Sequence, residues 1–291
     1  MAKFVSRDSL RPFGFIVFVF FLFSFLFNFS EVSLAQNQLP KVAIIIDDLG
    51  PGVKTYDLLF KNPYPLTLSV IPAQMMSTSL SARAVSINHY DIFIHLPMEP
   101  LGRSAKKHYP LQISKGMSVT SINEVIDLSR ANIKNVKGIN HHMGSYGSAD
   151  PLLMEPIIEY CQTHQLIYVD SITTRNTVVK KIVEEKHYPY LRNNVFLDGK
   201  LKKKYIEFQF KQLIDHALKN GYVIGIAHAN RELSMKMLPQ LMKQYEDQVQ
   251  FVRVSELPQS LMWQMPATQN KNVFKKKYLK SFLKPQMIPT H

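Results

Sequence analysis

Cysteine and tryptophan are nearly missing from this chain of 291 residues, which has one of each. A single thiol, Cys161, excludes an internal disulfide. It lies in a stretch of helical pattern (residues 154–164) with no activating neighbours, so it reads as a buried apolar side chain and not as a nucleophile. Acidic residues are missing from Met265 onward, where Lys271, Lys275, Lys276, Lys277, Lys280 and Lys284 fall. Nearly half of the net charge of +13 thus lies in a tail, and the body before it is only mildly basic. That distribution argues against a nucleic-acid partner, which calls for a basic groove interleaved with aromatics. Internal repeats are absent as well.

Charge is also missing from Pro12 to Ser30, a run rich in Phe, Leu, Ile and Val that follows Lys3, Arg7 and Arg11. Small residues at Ser33 and Ala35 have the spacing that a signal peptidase reads, with Gln36 as the mature N-terminus. The run approaches the roughly 20 residues that span a bilayer, so it serves as a cleaved signal peptide or as a retained anchor. Either way the basic flank stays inside, and the remainder is expected on the extracytoplasmic or periplasmic side. Residues 1–35 form this leader, 36–40 a linker, 41–262 the folded domain and 263–291 the basic tail. Phe274, Tyr278 and Phe282 fall four apart in the tail; a helix there would line up aromatics among lysines and suit an anionic membrane surface. A solvated extension is the plainer reading.

What the body does contain is alternation. Strand patterns at Lys41–Ile46, Leu66–Ile71, Tyr90–His95, Val136–Ile139, Leu166–Asp170, Tyr188–Leu197, Tyr222–Ala227 and Gln250–Val254 are mostly separated by helical patterns. One helix is expected over Thr120–Ile133, opened by a capping box of Ser121 and Glu124, and another over Tyr205–Lys219, stopped by Asn220–Gly221. Leu101–Val119 reads as a long loop at a rim. Seven or eight mostly parallel strands with helical crossovers make an α/β fold, either a closed barrel or an open doubly wound sheet.

Residues able to do chemistry gather where these strands end. Asp47 and Asp48 follow the first, His95 closes the third, and Asn140, His141 and His142 follow the fourth. Asp170 ends the fifth, Asp198 follows the sixth and His228 follows the seventh. In a parallel barrel these points share the carboxyl-end rim, where such proteins build their sites. Adjacent carboxylates repel; a bound cation removes that cost and leaves one of them free as a base. His95 with Glu99 four residues on would suit Zn²⁺ or a similar ion if a turn presented both. His141 and His142 point opposite ways in extended backbone, so one of them faces the site. His89, His108, His164, His187, His216 and His291 fall on loops or helices and receive no role.

The ordered segments Ile-Ile-Asp47-Asp48-Leu-Gly50, His95-Leu-Pro-Met-Glu99-Pro100, Gly138-Ile-Asn140-His-His142-Met-Gly144-Ser145, Val169-Asp170-Ser171 and Gly225-Ile-Ala-His228 resemble the divergent polysaccharide deacetylase family. That family is a branch of the NodB-homology, carbohydrate-esterase-4-like enzymes, and the resemblance runs over about Lys41 to Leu261. It implies a distorted (β/α) barrel, a divalent metal (usually Zn²⁺) and removal of acetyl groups from a glycan. Mapped through it, Asp47 is the base, Asp48 and His95 are metal ligands and His228 is the acid. Three features depart from the common pattern. Glu99 replaces the second metal histidine, Leu49 displaces the glycine after the Asp pair, and an Arg-Pro-Pro-Tyr segment is missing. His142 then offers the third ligand, with Glu99 as the alternative and Asp170 and Asn140 in support. Two other readings stay open: a barrel kept as a glycan- or protein-binding platform without catalysis, and a metal-dependent phosphohydrolase.

Overall fold

The computed structural model of the protein describes residues 39–102 and 109–257. The leader, most of the linker, the tail and His108 lie outside the described residues. Among the described residues nine strands form one sheet: β1 (Lys41–Leu49), β2 (Leu66–Val70), β3 (Tyr90–Met98), β4 (Val136–Met143), β5 (Ile167–Asp170), β6 (Leu191–Arg192), β7 (Val195–Phe196), β8 (Tyr222–His228) and β9 (Gln250–Val252). All pairings are parallel, in the order β6-β5-β4-β3-β2-β1-β8-β7. β9 pairs with residues 41–43 of β1, below the stretch that pairs with β2. The two ends of this order, β6 and β7, are consecutive in the chain, so the sheet curls back on itself as a distorted (β/α) barrel.

The single strand expected over Tyr188–Leu197 is therefore two, which raises the count to nine. Asn193 and Asn194 cause the break. The Asn193 side chain accepts from Val195 N–H, and the Asn194 side chain accepts from Ile224 N–H. Side-chain amides thus replace ladder bonds where the chain changes neighbour from β5 to β8. The helices are α1 (Tyr56–Leu59), α2 (Ser77–Val85), α3 (Val119–Asn132), α4 (Pro151–Thr163), α5 (Val179–Glu185), α6 (Lys203–Asn220) and α7 (Glu232–Tyr245). α3 is capped by Ser118, whose hydroxyl accepts from Ser121 N–H, and not by Ser121 as its sequence suggests. α6 ends at Gly221, where φ of +80° suits a residue without Cβ. None of the described helices is long and apolar enough to cross a membrane.

Two apolar layers hold this arrangement. The outer one packs helices on the sheet, with Ile44, Ile46, Leu68, Ile92, Ile157 and Phe210 among its fully buried members. Cys161 lies in it, and burial pushes its thiol up, as suits a side chain that packs as an apolar group. The inner layer fills the barrel with Ala43, Ile45, Phe93, Val169, Ile224, Ile226 and Val252. Strand β1 serves both layers, which is why its sequence is apolar on both faces. A Cβ at Gly138 would stand 2.5 Å from the Phe93 ring and from Ile167 O, so glycine there makes room for the largest interior side chain.

Candidate functional site

Asp47, Asp48, His95 and Asn140 to His142 sit inside their strands and not at or after the ends, whereas Asp170 and His228 end theirs and Asp198 follows β7. β1 runs on to Leu49, and Asp47 lies in register with His228 of β8. In a regular strand neighbouring side chains point apart, yet Asp47 and Asp48 touch the same imidazole. Asp47 Oδ1 is 3.6 Å from His95 Nδ1, and Asp48 Oδ1 is 3.3 Å from His95 Nε2. The cause is local. Asp48 has φ of +64°, and the β1–β2 register shifts between Ile46 and Leu49, a bulge that re-aims its carboxylate. β4 also continues through the rim, so His141 and His142 diverge. His141 turns into the core toward Tyr168 Oη (3.0 Å) and Thr173 Oγ1 (3.3 Å), while His142 faces Asp48.

Three ligand-type atoms converge. Asp48 Oδ1 is 3.0 Å from His142 Nδ1 and 3.3 Å from His95 Nε2, and the two nitrogens are 3.2 Å apart. Ligands held at 2.0–2.1 Å around a tetrahedral ion lie roughly 3.3 Å from one another. Asp48 Oδ1 is buried without a well-formed hydrogen bond, which is costly unless a cation or proton fills the gap. Burial would raise the Asp48 pKa, but the contacts with His142 and His95 outweigh it and hold it well below the ordinary carboxylate range. Burial lowers His142. In His95 burial acts the same way, but the Asp47 charge and the Asp48 contact prevail and raise it. The donor set, one carboxylate and two imidazoles, suits Zn²⁺ or a similar ion.

Supporting groups fix how each ring presents itself. Asn140 donates from Nδ2 to Asp47 Oδ1 (2.8 Å), and its Oδ1 faces His95 Nδ1 at 3.1 Å. Ser69 donates to that same Oδ1 and so fixes which way the amide points. His95 therefore carries its proton on Nδ1 and turns a free Nε2 toward the centre. On the far side of Asp47, His228 Nδ1 is 2.7 Å from Asp198 Oδ1, and Asp198 Oδ2 accepts from His228 N–H at 2.9 Å. Burial pulls His228 down, but the buried Asp198 overrides it and raises its pKa to about 9. Asp47 is raised by its own burial, against the nearby His95 and His228.

The sequence pattern of divergent polysaccharide deacetylases matches residues 44–258. The chain belongs to that family. An uncharacterized Haemophilus influenzae relative is 31% identical over 229 residues, 79% of each chain. The uncharacterized protein YibQ of Escherichia coli K12 is 27% identical over 217 residues, covering 75% of this chain and 67% of its own. The fold is also that of an uncharacterized protein from Agrobacterium tumefaciens C58, with a TM-score of 0.71 and 21% identity over 77% of this chain and 91% of the other.

Two expected members of the site stand elsewhere. Glu99 is not in the three-residue group, because no turn follows His95: β3 stays extended to Met98. Four extended residues separate their Cα atoms by about 13 Å. Glu99 Oε2 instead accepts from Lys115 N–H at 2.7 Å. Asp170 braces the turn after β5 by accepting from Ile172 N–H (2.9 Å) and Thr177 Oγ1–H (2.8 Å), and it lies 4.0 Å from His141. Asp198 stands at a strand end with nothing in the sequence to give it a role; its pairing with His228 comes from the closure of the barrel between β7 and β8. Tyr109, whose hydroxyl is 2.9 Å from His142 Nε2, was missed altogether because its loop has no pattern.

Proposed function

We propose that this member of the family is a metal-dependent hydrolase that removes acetyl groups from an envelope or extracellular glycan, on the extracytoplasmic side. The observation that carries the reading is the buried Asp48 Oδ1 facing two imidazole nitrogens, with Asp47 and His228 flanking it. Asp48, His95 and His142 would hold the ion, and Zn²⁺ fits their donor set. When bound, such an ion supplies Lewis acidity toward an acyl oxygen and toward water.

The remaining work falls to the chain. Asp47 accepts one hydrogen bond, on Oδ1, so its other oxygen is free to take a proton from the attacking water. Its raised pKa makes it a better base than a surface carboxylate. His228, kept protonated by Asp198 below about pH 9, delivers a proton to the leaving nitrogen or oxygen. Asn140 holds Asp47 and His95 in fixed relation, so base and ligand keep their spacing as the charge moves.

The test is acetate release from acetylated glycans by purified protein, with metal content measured alongside. Asp47→Asn is expected to keep its metal and lose about 10²–10⁴-fold in rate. Full activity in that variant removes the base assignment. Bound metal without acetate release from any glycan favours the binding platform.

A further inference from the structure

The Tyr109–Met117 stretch is laid against the end of β3 by a set of bonds centred on Glu99. Glu99 N–H donates to Ile113 O (2.9 Å), Ile113 N–H to Pro97 O (2.9 Å) and Lys115 N–H to the Glu99 carboxylate (2.7 Å). Glu99 O accepts from Tyr146 N–H (3.1 Å) and Gly147 N–H (3.0 Å), which ties the same point to the segment after β4. Gln112 Oε1 accepts from Tyr109 N–H at 3.4 Å and turns that residue back over the rim. Its ring meets His142 edge to face, with centroids 5.0 Å apart and planes at 78°, and its hydroxyl is 2.9 Å from His142 Nε2.

We propose that Tyr109 is the positioning residue for His142: its hydroxyl accepts the Nε2 proton and so leaves Nδ1 free to bind the ion, and Glu99 acts through it. This rests on the reading of Asp48, His95 and His142 as a metal site. The chemistry follows from the imidazole. A neutral ring has one N–H and one lone pair, so a partner that accepts at Nε2 fixes the lone pair on Nδ1, the nitrogen facing Asp48. Such a partner also stops the ring from rotating away and raises its basicity. Glu99, four residues beyond His95, thereby serves the site as the fastening of the loop and not as a ligand.

The experiment is a Co²⁺ titration of the purified protein, read by the visible d–d bands, with wild type, Tyr109→Phe, Glu99→Ala and the double variant. Tyr109→Phe keeps the ring contact and removes the hydroxyl that accepts from His142. It should weaken Co²⁺ binding about tenfold and shift the bands, while the metal-free variant melts at the wild-type temperature. Glu99→Ala should weaken binding less, and should add nothing in the Tyr109→Phe background. Wild-type affinity and bands in Tyr109→Phe overturn the proposal while the metal reading stands. An additive loss in the double variant overturns the claim that Glu99 acts through Tyr109. A wild type that takes up no Co²⁺ overturns the metal reading, and this inference falls with it.

Discussion

The two ends of the barrel use buried polar groups in opposite ways. At the amino end, Asp91 Oδ2 accepts from Ser255 N–H (2.9 Å), Thr67 Oγ1 accepts from Val254 N–H (3.0 Å), and Lys41 Nζ donates to Glu256 O (2.7 Å). Each of these contacts fastens the 3₁₀ turn Val254–Glu256, and Val254 and Leu257 plug the barrel below Ile45 and Phe93. At the carboxyl end, Asp48 Oδ1 is buried without such a donor, on a residue at φ of +64°. One end spends its polar groups on closing the chain. The other keeps an acceptor open among imidazoles and tolerates local strain, the pattern expected where a ligand completes the set.

The sharpest way to break this comparison is at Asp48. Zn²⁺ in hundredfold excess over its dissociation constant should stabilise the wild type by about 2.7 kcal/mol, and Asp48→Ala should show no metal-dependent shift. Equal shifts in a thermal melt of both would mean that the rim is not where the ion binds. A smaller effect is expected one layer out. In the wild type His228 is raised from 6.5 to about 9, so its pairing with Asp198 adds stability that is full below pH 6.5 and fades as pH rises through 9. Activity dependent on protonated His228 should fall over the same upper range. In Asp198→Asn the alkaline limb of the rate profile should move down toward the ordinary histidine value; an unmoved limb would assign it to another group. The smallest functional effect belongs to the amino end. Asp91→Ala leaves Ser255 N–H without its partner and should cost about 1–3 kcal/mol in urea unfolding, with metal affinity unchanged. A loss of metal affinity there would show that the two ends are coupled.

Much of this contrast is legible in the residues. The double-sided apolar run Lys41–Ile46 announces a buried parallel strand, and the strand-end positions of Asp47, His95, His142 and His228 announce the rim. The divergence of His141 and His142 follows from strand geometry alone. What sequence could not supply was where strands stop. β1, β3 and β4 carry ladder pairing through polar residues, as in Pro97 with His142, because parallel neighbours go on bonding after the apolar pattern ends. That continuation moved Glu99 out of the site. The Asn193–Asn194 break and the Asp198–His228 pair arise only on closure, between segments 30 residues apart. Likewise Tyr109 reaches His142 across 33 residues, a distance that local periodicity does not report.

The entry and exit of the chain have a consequence for the rim. Gln250 N–H donates to Pro40 O at 2.8 Å, and Lys41 Nζ holds Glu256 O, so the domain begins and ends side by side at the plugged end. The two boundaries of the described domain therefore lie at one end of the barrel. Both junctions lie at the end of the barrel opposite Asp48, so neither of them crowds the rim.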